Sequence, residues 1–138
     1  MPTDGTAMRD KKKSELLTEV ELEFMNELWA LEEGTVRDVL AQLPEDRNLA
    51  YTSAATILRI LEQKGFVTSR KEGKRHVYIP SLDKDAYQIR SLKDLSMKLF
   101  DDTPASLVAR LVDDDELTQE ALGQIRALVD RRLKNDTG

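Results

Sequence analysis

The sequence predicts a mainly α-helical fold with one small β-hairpin, and three observations support that fold class. Six segments between residues 17 and 135 carry apolar side chains at spacings of three and four, the period of an amphipathic helix. Two short β-prone runs, at 66–71 and 74–80, flank a turn that contains a glycine. The 138 residues include only four prolines and six glycines, which leaves room for long regular elements.

Composition and motifs exclude several function classes. The chain has no cysteine and one histidine, which excludes disulfides, thiolate zinc sites and iron–sulfur clusters. No apolar run approaches the ~20 residues of a membrane span, and residues 1–13 lack the apolar core of a secretory signal. Motifs for nucleotide, dinucleotide, zinc-protease and serine-hydrolase sites are absent. We therefore expect a cytoplasmic protein that is not an enzyme, with no cofactor, no metal and no membrane insertion.

Charge is distributed unevenly along the chain, which carries 21 basic and 26 acidic residues. Residues 14–46 contain one basic and ten acidic residues, whereas residues 47–76 contain seven basic and two acidic residues. A positive segment in a protein of net charge −5 points to an anionic partner for that segment. Residues 1–13 lack apolar periodicity and are predicted to form a disordered tail.

The first two helices are predicted from their caps and apolar stripes. Thr18 and Glu21 have the spacing of a capping box, so the first helix should begin there and run to about Leu31. Its stripe consists of Val20, Phe24, Met25, Leu28 and Trp29. Thr35 is the expected cap of a second, shorter helix that ends at Pro44, because proline cannot continue a helix.

The third helix is predicted over 52–64, with Gly65 as its C-cap. One face, at 100° per residue, is apolar and consists of Ala54, Ile57, Leu58 and Leu61. The opposite face carries Thr52, Thr56, Arg59 and Gln63, with Ala55 on its flank. Short side chains allow a helix to approach a base-pair edge, and Arg or Gln can reach a purine edge or a phosphate. From the pattern of this helix alone, an ordinary amphipathic helix whose exposed face has no binding role is an equally good interpretation.

The two β-prone runs predict a hairpin whose turn contains Gly73. If Glu72 and Gly73 form a two-residue loop, the opposed pairs are Lys71–Lys74 and Arg70–Arg75. Glu is a poor first residue for such a turn, so this register is only one alternative. In any register four cations lie near the hairpin tip, where like charges destabilise the pairing. A polyanion would relieve that repulsion, which makes the hairpin a stronger functional signal than the third helix.

Residues 83–138 return to helical periodicity in three segments, at 83–100, from Pro104 and from Thr118. The acidic run at 113–116 lacks the spacing of a calcium loop and is better explained by the dipole of the following helix. About 55 residues are too few to bury all three apolar stripes, so the simplest expectation is that a second copy of the chain covers them. The expected dimer interface consists of Tyr87, Leu99, Phe100, Leu107, Leu111, Leu122, Ile125 and Val129.

Three helices followed by a basic hairpin within about 80 residues have the order of a winged helix-turn-helix. The segments LTEVELEFM (17–25), Leu28 with Trp29, and TVRDV (35–39) resemble the opening of the penicillinase-repressor and methicillin-resistance-repressor family. AYTS (50–53), TILRIL (56–61) and KG (64–65) are similar to its recognition helix, and KEGK (71–74) with VYIP (77–80) to its wing. The resemblance covers about residues 16–82 and continues weakly over 83–135, where that family has a helical dimerisation region.

The resemblance implies a homodimeric repressor that binds an inverted-repeat operator in double-stranded DNA. Its implied domains are a disordered tail at 1–13, a winged-helix DNA-binding domain at 14–82 and a helical dimerisation domain at 83–138. The candidate DNA-contacting residues are Thr52, Ser53, Ala55, Thr56, Arg59, Gln63, Lys71, Lys74 and Arg75.

The resemblance also bears on regulation. In the β-lactam branch of the family, a membrane sensor with a protease domain triggers cleavage of the repressor in its dimerisation region. We would expect such a site at 97–103, between two predicted helices. The related copper-transport branch senses metal through cysteines near its C-terminus, and this chain has none. The alternative function is a winged-helix module for protein–protein contact without DNA binding, a class that usually lacks a cationic wing.

Overall fold

The computed structural model describes residues 16–137, which form the mainly helical fold with one antiparallel hairpin that the sequence predicts. The chain divides into two compact units between Ser91 and Leu92, within a helix. The predicted domain limits, 14–82 and 83–138, stay a prediction, and the predicted tail at 1–13 lies outside the described residues. Among residues 16–137, no helix combines the length and the apolarity needed to cross a membrane.

Helix α1 (Glu19–Leu31) and helix α2 (Val36–Gln42) both begin at capping boxes. The Thr18 hydroxyl accepts a hydrogen bond from the Glu21 N–H at 3.2 Å, and the Glu21 carboxylate accepts one from the Thr18 N–H at 2.9 Å. Thr35 and Asp38 form the same reciprocal pair at the start of α2. Each box satisfies two backbone donors at a helix start, and the predicted starts of both helices are confirmed.

Helix α3 (Tyr51–Gln63) follows a single 3-10 turn at Glu45–Arg47. Its N-cap is Ala50, whose side chain cannot accept a hydrogen bond, so α3 begins without a side-chain cap. Gly65 lies just beyond the helix with a φ of +88°. This left-handed conformation favours glycine. The C-cap is Lys64, one residue before the predicted Gly65, and Gly65 directly follows it.

The hairpin consists of β1 (Val67–Glu72) and β2 (Arg75–Pro80), with Glu72 opposite Arg75. The alternative in which Glu72 and Gly73 form the loop is therefore wrong by one residue, because the loop is Gly73 and Lys74. Gly73 has a φ of +64°, and a positive φ at the first loop residue is the requirement of a type II′ turn. As a result, opposite charges face each other across the last pair, with the Arg75 guanidinium 3.6 Å from the Glu72 carboxylate.

The core of the first unit lies where the three helices pack against the hairpin. Its fully buried side chains include Phe24, Met25, Leu28, Val39, Ala54, Leu58, Leu61 and Phe66. Gly34 and Tyr78 exchange two backbone hydrogen bonds, of 3.0 and 2.8 Å, which fix the base of the hairpin beside the start of α2. The Trp29 indole N–H donates to the Leu82 carbonyl at 3.0 Å.

Tyr87 belongs to this core, although the sequence predicts it at the dimer interface. It lies near the start of helix α4 (Lys84–Leu99), and its ring centroid is 5.8 Å from that of Trp29 and 5.9 Å from that of Phe66. Its hydroxyl accepts a hydrogen bond from the Leu17 N–H at 2.9 Å. Because both the ring and the hydroxyl have partners in the same chain, Tyr87 is not part of the interface proposed below.

The second unit contains the end of α4, helix α5 (Pro104–Val112) and helix α6 (Gln119–Thr137). Pro104 lies in the first turn of α5, and the Thr118 hydroxyl accepts a hydrogen bond from the Ala121 N–H at 3.0 Å, as predicted for a cap. Among the described residues of this unit, Leu107 is the only buried hydrophobic side chain. The exposed ones include Leu92, Leu95, Met97, Leu99, Val108, Leu111, Val112, Leu128 and Val129.

Candidate nucleic-acid interface

One face of α3 carries the predicted base-reading residues at the surface. The exposed members are Thr52, Ser53, Thr56, Arg59 and Gln63, and Ala55 is half-buried. The buried face of α3, formed by Ala54, Leu58 and Leu61, fixes which side of the helix meets solvent. The Thr56 hydroxyl donates to the Thr52 carbonyl at 2.9 Å, so its proton has a partner within the helix.

The hairpin of β1 and β2, called the wing from here on, carries two kinds of cation, those paired with carboxylates and those without an ion pair among the described residues. The Arg70 guanidinium donates to both Glu33 carboxylate oxygens, at 2.9 and 2.5 Å, and to the Glu72 carboxylate at 2.7 Å. These hydrogen bonds lower the pKa of Glu33 and raise that of Arg70, and they hold the wing against the loop that follows α1. Lys71 and Lys74 are exposed and form no ion pair within residues 16–137. The four predicted tip cations are therefore not equivalent, since Arg70 and Arg75 are paired with carboxylates and, in the part of the chain that the structure describes, Lys71 and Lys74 are not.

A concavity of about 280 Å³ joins α2, the start of α3 and the wing. Its lining includes two predicted DNA-contacting residues of the wing, Lys74 and Arg75, together with Arg59 of α3. It also includes Arg37 and Tyr51, which sequence reasoning did not select. Arg37 is the single basic residue of the acidic segment 14–46, and that isolation was the available signal.

Tyr78 lies against the same concavity and is largely buried. Burial raises the pKa of its phenol, and the nearby Glu62 carboxylate adds to this rise. The Arg59 guanidinium acts in the opposite direction. The phenol therefore stays neutral at physiological pH and does not reduce the positive charge of the concavity.

The residues predicted at the dimer interface fall into three groups. Leu99 and Leu111 are strongly exposed, at 67% and 55%, and Val129 is similarly exposed. Phe100, Leu122 and Ile125 are half-buried. Leu107 is buried within the second unit and Tyr87 within the first. The exposed members and their neighbours form the apolar surface of the second unit.

Comparison with known proteins decides the family. The family model described as penicillinase repressor matches residues 17–131, which is most of the chain. The chain belongs to the penicillinase repressor family. This membership confirms the resemblance seen in the sequence, and it supports the winged-helix interpretation of the three helices and hairpin. Members of this family are transcriptional repressors rather than enzymes, and the chain is assigned to that class.

The relatives of this penicillinase-repressor chain are distant in sequence but similar in length. It is 21% identical over 123 residues to the methicillin resistance regulatory protein MecI of Staphylococcus aureus strain Mu50, covering 89% of this chain and 99% of the relative. It is 25% identical over 120 residues to the penicillinase repressor of Bacillus licheniformis, covering 86% and 93%. The transcriptional regulator BlaI of Mycobacterium tuberculosis is 36% identical over 70 residues, covering 50% and 51%.

One solved structure, titled CopR repressor structure, is 29% identical to this chain. It aligns with a TM-score of 0.43 and covers 50% of this chain and 100% of its own.

Proposed function

We propose that this repressor acts as a homodimer on an inverted-repeat operator in double-stranded DNA, with α3 in the major groove and the wing on the backbone or minor groove. The observation that carries this proposal is the surface that α3 shares with the wing. There, short or cationic side chains of α3 lie beside Lys74 and Arg75 around one concavity. Short side chains suit close approach to bases, and cations suit phosphates.

Arg59, Thr56 and Gln63 are the proposed base-reading residues, together with Thr52, Ser53 and Ala55 at the start of α3. Arg59→Ala should weaken binding to the cognate duplex by about 1–3 kcal/mol, the value of a good base contact. The loss on a scrambled duplex of the same composition should be smaller. The cognate duplex is an inverted repeat from promoter DNA adjoining the gene. Equal losses on both duplexes would mean that Arg59 touches only the backbone.

The dimer is proposed from the apolar surface of the second unit. Ten large hydrophobic side chains on α4, α5 and α6 are exposed among the described residues of this unit, and exposed apolar surface of this extent is typical of an interaction site. A second copy of the chain is the proposed partner, since the same surface on both subunits can close a two-fold interface. A two-fold dimer would present two copies of α3 to the duplex, so we expect a pseudo-palindromic operator.

Regulation by proteolysis is proposed for the segment 97–103. Asp101 and Asp102, between α4 and α5, both have a positive φ, of 50° and 58°, and both are exposed. Consecutive left-handed residues other than glycine are unfavourable, which supports local opening at this turn. Cleavage there would disconnect the dimerisation helices and remove the gain in affinity from linked half-sites. The proposed location is the cytoplasm, and the proposed trigger is a pathway that starts at a membrane sensor protease.

The wing provides the sharpest test of DNA binding. We compare the unchanged full chain with the triple variant Lys71→Ala, Lys74→Ala and Arg75→Ala in a salt titration of duplex binding. The slope of log affinity against log salt should become shallower by about 0.9 for each phosphate that the wing no longer neutralises. The matched control is Lys84→Ala, Lys93→Ala and Arg126→Ala, which removes the same charge from other exposed positions.

Each outcome of the wing test is decisive. A slope that changes in the wing variant but not in the control supports wing contacts with phosphates. An equal change in both would mean that only net charge matters. A shallow slope for the unchanged chain would overturn DNA binding and favour a winged-helix module for protein contact.

A further inference from the structure

The concavity between α2, the start of α3 and the wing has an excess of positive charge. Four cations line it, namely Arg37, Arg59, Lys74 and Arg75, against one carboxylate, Asp38. The Asp38 carboxylate is held in the cap of α2, where it accepts a hydrogen bond from the Thr35 N–H at 3.0 Å. That backbone hydrogen bond, the Thr35 hydroxyl and the charge of Arg75 lower the pKa of Asp38. The carboxylate therefore has its own local role and offsets only part of the positive charge.

Arg37, which lines this concavity, lies over an aromatic ring. Its guanidinium carbon lies 5.5 Å from the centroid of Tyr51, the first residue of α3, which is 51% exposed. A guanidinium on an aromatic face keeps its planar set of N–H donors, and less side-chain freedom is lost when those donors bind a phosphate. No carboxylate within residues 16–137 forms a salt bridge with Arg37.

We propose that this concavity binds one backbone phosphate of duplex DNA and that Arg37, seated on Tyr51, is the residue that contacts it. The inference rests on the proposed function, because it adds a contact to the same interface. A phosphate contact beside the first turn of α3 would fix the register of the recognition helix on the duplex. It carries no sequence information itself, so its removal should weaken binding to every duplex equally.

The test uses the full chain and a mixed-sequence duplex of about 30 base pairs, long enough for two half-sites one helical turn apart. For each subunit that contacts the duplex, Arg37→Ala should lower the affinity about 10-fold at low salt, as expected for a charge-assisted hydrogen bond, and reduce the salt slope by about 0.9. Arg37→Lys should keep the slope and recover part of the affinity, because the charge remains while the planar fork is removed.

Arg90→Ala is the matched control. Arg90 also lies over an aromatic ring, 5.3 Å from the Phe66 centroid, but it does not line the concavity. It should leave both affinity and slope unchanged. Circular dichroism of each variant at the assay temperature verifies that the fold is intact.

The outcomes separate this inference from the proposed function. If the unchanged chain binds with a steep slope and Arg37→Ala binds in the same way, the phosphate site is overturned and DNA binding stands. If the unchanged chain fails to bind duplex, the proposed function itself fails. Titration with inorganic phosphate at constant ionic strength, followed by NMR at the Arg37 side chain, identifies the source of the anion. Saturable binding below about 1 mM would overturn the assignment to DNA, whereas a response to duplex alone supports it.

Discussion

The ion pair between Glu21 and Lys64 joins the start of α1 to the residue that caps the end of α3, and its removal should destabilise the fold. Both carboxylate oxygens of Glu21 accept hydrogen bonds from the Lys64 ammonium, at 3.0 and 2.9 Å. Glu21 is 6% exposed, and the Lys64 side chain is 27% exposed. Glu21→Gln keeps an oxygen for the Thr18 cap but removes the charge. We expect a loss of about 1–2 kcal/mol, at the low end for charge-assisted hydrogen bonds because Lys64 can regain water.

The same pair predicts a pH dependence with a definite sign. Burial raises the pKa of Glu21, but hydrogen bonds from Lys64 and from the Thr18 backbone outweigh it, so the pKa lies below its ordinary value of 4.5. A carboxylate whose pKa is lowered on folding stabilises the fold fully above pH 4.5, its ordinary pKa. That stabilisation is lost as the pH falls from 4.5 through the lowered pKa. The difference between the unchanged chain and Glu21→Gln should therefore be largest at pH 7 and shrink below pH 4.5.

Urea unfolding of the full chain across this pH range measures the difference. Glu19→Gln is the matched control, since Glu19 lies in the same first turn of α1 but is exposed. It removes the same favourable interaction with the helix dipole without touching Lys64. An equal loss in both variants at pH 7, or a difference that does not decrease as the pH falls below 4.5, would refute the role of the ion pair.

Two further predictions concern the end of α3 and the limits of the first unit. Gly65→Ala should lower the unfolding free energy by about 1–2 kcal/mol, because alanine is strained at a φ of +88°. No atom lies within 4 Å of the added Cβ, so the loss would come from the backbone conformation and not from a clash, and a negligible loss in urea unfolding would contradict it. A chain that ends after Ser91 should sediment as a folded monomer and bind DNA much more weakly than the full chain; dimer formation by this chain would place the interface elsewhere. A chain that ends after Leu82 should melt at a lower temperature than the chain that ends after Ser91, because it lacks Tyr87.

Features set by a few adjacent residues could be predicted from the sequence. The Thr18–Glu21 capping box was predicted from its three-residue spacing and formed. For the second helix only the cap Thr35 was predicted, and the structure adds Asp38 as its reciprocal partner. The end of α3 at Gly65 depends on one residue that tolerates a positive φ. The fold class followed because six helical stripes and one hairpin were each visible locally.

The hairpin register and the place of Tyr87 depend on tertiary contacts. Either of two dipeptides could form the hairpin loop, and Arg70 is held by Glu33, which lies 37 residues earlier in the chain. Tyr87 belongs to the apolar stripe of α4, and that stripe runs across the division between the two units. Helical periodicity identifies a buried side but not which unit buries it. The pairing of Arg37 with Tyr51 was hidden for the same reason, since it joins two helices.

Net charge is a poor guide to the partner of this protein, and the structure gives a physical reason. Glu33 is paired with Arg70 and Asp38 is held in a helix cap, so these two acids near the proposed interface already have local partners. At physiological salt the Debye length is about 8 Å, and a phosphate at the wing is affected mainly by charges within that distance. The concavity that such a phosphate would enter is lined by four cations, Arg37, Arg59, Lys74 and Arg75, and by one carboxylate, that of Asp38. A chain of net charge −5 can therefore present a cationic face to DNA, while its overall charge opposes non-specific accumulation on the duplex at low salt.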